Sequence, residues 1–109
     1  MRQAKILYKD EEAGILTQHD DGSFTFSYND IWFTDNNKPS ISLTLSKNKK
    51  EHYSKHLFSC FYNMLPEGSN KDVVCKYNRI DKDDYFGLLV TTAKTDAIGA
   101  IKVIKIETV

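Results

Sequence analysis

The chain has no net charge: 15 lysines and arginines are matched by 15 aspartates and glutamates over 109 residues. That balance argues against broad electrostatic binding to nucleic acid or to an anionic membrane. Cysteine is scarce. Cys60 and Cys75 form no Cys-x-x-Cys pair and no His cluster at zinc spacing. Both read as small buried hydrophobes, which suits a reducing, cytoplasmic compartment; a Cys60–Cys75 disulfide is the alternative. The five glycines, Gly14, Gly22, Gly68, Gly87 and Gly99, are scattered singly, which excludes a Gly-rich phosphate loop. No stretch approaches the roughly 18 apolar residues of a membrane span, and the first residues lack the apolar core of a secretion signal. No repeat, linker or low-complexity tract divides the chain, so residues 1–109 read as one domain. That length buries a core without a disulfide or a metal.

What is present is a succession of strand and helix signals. Ala4 to Tyr8 reads as a strand, Lys9 to Glu12 as a turn and Ala13 to Thr17 as a second strand. Asp20-Asp21-Gly22 is a turn signal, because Asp-Gly tolerates positive φ. Ser23 to Tyr28 alternates polar and aromatic residues, so Phe24, Phe26 and Tyr28 share one face of a strand. Asn29 to Phe33 suits a helical turn, and Ile41, Leu43 and Leu45 alternate as a further strand. Lys47 to Tyr53 reads as a polar loop. Ser69 can cap a helix over Asn70 to Tyr77, and a third helix over about Asp83 to Thr92 would bury Phe86, Leu89 and Val90. Thr95 to Gly99 is a turn, and Ala100 to Ile106 closes the chain as a strand. This order predicts an α+β fold: a small antiparallel, β-barrel-like sheet with two or three short helices packed on one side.

The most informative stretch runs from Ser54 to Gly68. Leu57, Cys60, Phe61, Met64 and Leu65 follow the spacing of a buried helical stripe, with Ser54 as its N-cap. Phe58 and Tyr62 lie about 80° to 120° from the centre of that stripe, so its core face does not require them. Leu65-Pro66-Glu67-Gly68 then stops the helix, since proline lacks the next N–H and glycine accepts a left-handed turn. Aromatics beside a rigid corner suit the gripping of a partner better than chemistry.

No residue set composes an active site. Asp20 and Asp21, and Asp81, Asp83 and Asp84, lack calcium-loop spacing and read as turn and cap residues. His52 and His56 are four apart, but no His-Glu-x-x-His motif accompanies them, and surface histidines are the plainer reading. Cys60 faces the core stripe, where a thiolate is disfavoured. Lys47, Lys49, Lys50 and Lys55 near His52 and His56 form the one basic run, read as a solvated loop. Phe24, Phe26 and Tyr28 could stack bases, but Asp20, Asp21 and Asp30 flank them and core packing explains them better. No cofactor is expected.

The strand-turn-strand of Ala4 to Thr17, the Ser40 to Leu45 segment, the Phe61-Tyr62-Asn63-Met64-Leu65-Pro66-Glu67-Gly68 corner, and the tail of Phe86 to Leu89 and Asp96 to Ile101 occur in that order. Together they resemble the N-terminal subdomain of HipA-type serine/threonine kinase toxins, across nearly the whole chain. The resemblance implies a small barrel-like unit that sits on a kinase. A HipA toxin would run on past Val109 into its kinase core, and nothing here supplies ATP-binding, metal-binding or catalytic-base elements. Ile104 to Val109 has no linker-like character, which favours a natural end. A free-standing subdomain is similar to HipS-type antitoxins of tripartite HipBST systems. That likeness implies a non-enzymatic inhibitor of a separate HipT-like serine/threonine kinase, in a ternary complex with a HipB-like DNA-binding protein, with no direct contact to nucleic acid or membrane. The expected contact surface is Phe58, Tyr62, Pro66, Glu67, Gly68 and Ser69, with the corner as a wedge. Two other readings stand beside it: a non-inhibitory structural subdomain of a HipA-like kinase, and a small nucleic-acid-binding β domain.

Overall fold

The structure is a computed structural model that describes residues 2–65, 68–92 and 101–106. Strands β1 (Arg2–Tyr8), β2 (Glu11–Gln18), β3 (Phe24–Tyr28) and β4 (Glu51–Ser54) form an antiparallel meander, and β5 (Ile101–Ile106) returns beside β1. The sheet order is β4-β3-β2-β1-β5. It is an open sheet rather than a barrel, with β4 and β5 as its edges. Four short helices accompany it: α1 (Asp30–Thr34), α2 (Ser59–Tyr62), α3 (Gly68–Asn78) and α4 (Tyr85–Thr92). The fold is α+β, with one helix more than expected.

The register explains the one-sided core. Ala4 lies opposite Leu16, and Leu16 opposite Phe26; Ile6 lies opposite Gly14 and Val103, and Gly14 opposite Tyr28. All the larger members of this set are buried on one face, together with Phe61 of α2 and Phe86 and Leu89 of α4. The face is therefore closed by helices and loops instead of by a barrel seam. A bulge where the register shifts between Ile6 and Leu7 leaves Ala13 without a partner on β1, and its carbonyl accepts from Asn29 N–H at 2.9 Å. The β1–β2 turn is tighter than the sequence suggests. Only Lys9 and Asp10 turn, both at positive φ, the geometry of a two-residue hairpin, and Glu11 and Glu12 already belong to β2. At the next turn Gly22 has φ +90°, and the Asp21 carboxylate accepts from the Ser23 N–H and hydroxyl.

Three local expectations fail. Ile41 to Leu45 is not a strand. Ser42 caps a single 3-10 turn at Leu43–Leu45, with its hydroxyl accepting from Thr44 N–H. The turn buries Ile41 and Leu45 but leaves Leu43 fully exposed. The segment is tied to the sheet by Tyr28, whose buried hydroxyl donates to the Leu45 carbonyl and accepts from Ile41 N–H at 3.1 Å. Second, the polar run before Ser54 is not all loop. Residues 51–54 pair with β3, because an edge strand beside Phe24–Ser27 satisfies their backbone groups in the ladder. Third, Ser54 therefore ends a strand and caps no helix. The expected long helix shrinks to the single turn of α2.

An ionic clasp joins the start of the chain to α4. Arg2 donates to both carboxylate oxygens of Asp84, at 2.6 and 3.1 Å, and its Nε donates to Gln18 at 2.9 Å. Asp84 in turn accepts from Gly87 N–H, capping α4, while the guanidinium lies 4.8 Å above the Phe86 ring. The Arg2 hydrogen bonds, aided by the Gly87 N–H, hold the Asp84 carboxyl below the usual aspartate range. A depressed folded-state value means that this stabilisation is present above the unfolded pKa of about 3.9 and is lost as pH falls through the folded value. Asp84→Asn should thus lower the melting temperature at neutral pH, and the gap to wild type should close as pH falls below about 4. A gap that stayed constant with pH would show that the carboxylate charge contributes nothing. No helix among the described residues is long and apolar enough to cross a membrane.

Candidate partner-binding surface

The surface is built on α2. Phe58 occupies its N-cap position with an extended backbone, and the Phe58 carbonyl accepts from Phe61 N–H at 3.0 Å and Tyr62 N–H at 2.9 Å. This turn points Phe61 into the core, where its ring packs on Phe26 and Phe58 at centroid distances of 6.2 and 6.4 Å. Phe58 is itself buried, contrary to its expected place off the core face. Because the chain enters α2 extended rather than helical, Leu57 and Phe58 both reach the interior. Phe58 is thus a support for the surface and not part of its exposed skin.

Tyr62 behaves as the spacing predicts and remains half exposed, at 50%. Its ring packs edge-on against Tyr85 of α4, with centroids 5.7 Å apart and planes at 86°. Lys71 of α3 brings its ammonium 5.6 Å from the Tyr85 ring centroid. Tyr62, Tyr85 and Lys71 therefore form one aromatic–cationic cluster drawn from three helices. No sequence signal points to Tyr85 or Lys71. Neither sits in a motif; the packing of α2 against α4 brings Tyr85 to Tyr62, and Lys71 joins them from α3 through the Tyr85 ring. After α2, turns donated by Met64 N–H and Leu65 N–H lead the chain out, with both side chains half buried. Pro66 and Glu67 lie outside the described residues. Gly68 and Ser69 form the first turn of α3.

The other candidates disperse. Lys47 is consumed internally, donating to the carbonyls of Asp35 and Lys38 at 2.7 and 2.8 Å. Lys50 pairs with Asp30, and His52 is bonded to the Ser46 carbonyl. The basic run is consequently not one patch. Phe24, Phe26 and Tyr28 are all buried, so they offer no face to a stacked base. Cys60 and Cys75 are free thiols, and burial pushes the Cys60 pKa up, against a thiolate nucleophile. Among the described residues, no group of three or more His, Cys, Asp or Glu side chains could hold a metal ion.

An open antiparallel sheet with short helices alongside defines a small α+β domain. The chain belongs to the HipA N-terminal domain family, whose model matches residues 4–104. A solved structure described as the N-terminal domain of HipA toxin is 29% identical, with 99% of this chain and 95% of that chain covered and a TM-score of 0.73. No curated protein matches the sequence. The N-terminal domain of HipA is not itself the catalytic kinase domain.

Proposed function

We propose that this chain is the antitoxin of a HipBST-type system, a HipS-like protein that binds and inhibits a separate HipT-like serine/threonine kinase in the cytoplasm. A HipB-like DNA-binding protein would complete the ternary complex. The observation that carries this reading is Tyr62. A large aromatic stands half exposed on a one-turn helix whose other side is locked into the core by Phe61, and Tyr85 holds its ring from behind. A rigid aromatic anchor buries much area at little entropic cost, which is the character of an interface hot spot. In this reading residues 66–69 belong to the same contact.

Tyr62→Ala should weaken binding to the cognate kinase by about 2 kcal/mol, roughly thirtyfold in Kd, with little loss of stability. The measurements are titration against the purified kinase and rescue of growth from the toxin, with circular dichroism to confirm folding. If folded Tyr62→Ala and variants at Glu67, Gly68 and Ser69 neutralise the kinase as wild type does, the inhibitory surface is elsewhere. A non-inhibitory structural role in a HipA-like kinase is the second reading, favoured equally by the family match. A neighbouring reading frame for a kinase that lacks this domain distinguishes the two.

A further inference from the structure

Strand β4 is an edge of the sheet with half of its backbone unspent. In an antiparallel pair, bonded and unbonded partners alternate. Tyr28 N–H donates to the Lys50 carbonyl at 2.9 Å, so the partners in step with it, Phe26 with His52 and Phe24 with Ser54, are the bonded ones. Glu51 and Tyr53, opposite Ser27 and Thr25, therefore turn their N–H groups and carbonyls out from the sheet, and nothing among the described residues bonds to them. Their side chains lie on the sheet face opposite the core, where Glu51 is exposed and Tyr53 is 63% exposed. Natural edge strands are guarded by proline, a bulge, an inward charge or lysines. β4 has no proline and no register shift against β3, and its inward side chains are His52 and Ser54. The other edge, β5, carries Lys102 and Lys105, one on each face.

We propose that β4 is a dimerisation edge, pairing antiparallel with β4 of a second copy of this chain about a two-fold axis at His52. An open backbone edge accepts another extended backbone, and a two-fold axis allows few registers. Centred on His52, Glu51 of each copy lies opposite Tyr53 of the other. Every outward N–H and carbonyl of both strands is then bonded, in roughly four hydrogen bonds. Centred on Glu51, the pairing would set carboxylate against carboxylate. Centred on Tyr53, it would leave Glu51 to bond with Lys55, which lies beyond the strand. β4 is thus self-complementary in one register, and the partner's chemistry is this chain's own. The strand is short, so the dimer is weak and concentration-dependent. The proposal does not rest on the kinase-binding reading. Helix α4, which holds Tyr85, packs on β5 at the far edge of the sheet, so the pair presents two Tyr62 clusters.

The test is sedimentation velocity of the chain alone, from about 1 μM to about 1 mM. Wild type should pass from monomer to dimer across that range. Tyr53→Pro removes an outward N–H and no bond to β3, so circular dichroism should be unaltered while the dimer Kd rises about tenfold or more. A cross-link reads the register independently and decides the matter if the proline variant fails to fold. Glu51→Cys mixed with Tyr53→Cys should give a disulfide-linked heterodimer on oxidation, because opposite residues of a bonded pair stand about 5.5 Å apart. Either variant alone should not, since the two copies of one position are two residues out of step and more than about 7 Å apart. Wild type controls for Cys60 and Cys75. A wild type that stays monomeric throughout overturns the proposal, whatever the kinase titration shows. Dimerisation that folded Tyr53→Pro leaves unchanged, or cross-linking as strong within either single variant as in the mixture, overturns it too.

Discussion

Phe61→Ala should destabilise the domain by about 3 to 5 kcal/mol, the cost of emptying a fully buried phenylalanine site. Phe61 is 0% exposed and meets Phe26 of the sheet on one side and Phe58 on the other. Neither neighbour can collapse into the gap without leaving its own place. Phe26 is pinned at the centre of β3, and Phe58 caps α2. Domains of this size have only about 5 to 15 kcal/mol of stability in total, so the melting temperature should fall by more than about 10 °C. Urea and thermal unfolding read this directly. Binding should fail with it, because Phe61 is what fixes the α2 turn that presents Tyr62. A Phe61→Ala melt that overlays wild type would show that α2 does not dock through this ring.

Gly14→Ala should be nearly as damaging, and its sign is the diagnostic part. Alanine normally improves on glycine within a strand by about 0.5 to 1 kcal/mol. Here a Cβ would stand 2.3 Å from the Ser27 carbonyl oxygen and 2.8 Å from Cζ of Phe26. The Phe26 and Tyr28 rings, edge to face with centroids 4.8 Å apart, occupy the space above β2. A ring could swing aside, but a backbone carbonyl in the ladder cannot, so β2 and β3 must part. About 3 kcal/mol is expected, the upper end of overpacking costs. Any gain in stability on denaturant titration would refute this close approach.

Part of the surface is legible in the residue pattern itself. Tyr62 is exposed as its angle from the apolar stripe predicts, and Leu57, Phe61, Phe86 and Leu89 are buried as expected. Phe58 departs from its expected place because the helix does not extend back to Ser54. Tyr85 and Lys71 are invisible to such a reading, because a contact between three separate helices leaves no periodic trace in any one of them. The Thr95–Gly99 turn lies outside the described residues.

Local chemistry by itself determined strands β1, β2, β3 and β5, the Asp21-Gly22 turn, helices α1, α3 and α4 and the α+β class, because backbone period and turn preference act over a few neighbouring residues. Tertiary structure alone decided the rest. The Ile41–Leu45 segment has the alternation of a strand, yet Tyr28 binds it as a 3-10 turn. Residues 51–54 have the polarity of a loop, yet the open edge of β3 offers them hydrogen bonds and makes them β4. The barrel stays open for the same reason: helices and a bonded loop cover the apolar face of the sheet, which leaves no buried surface for closure to gain.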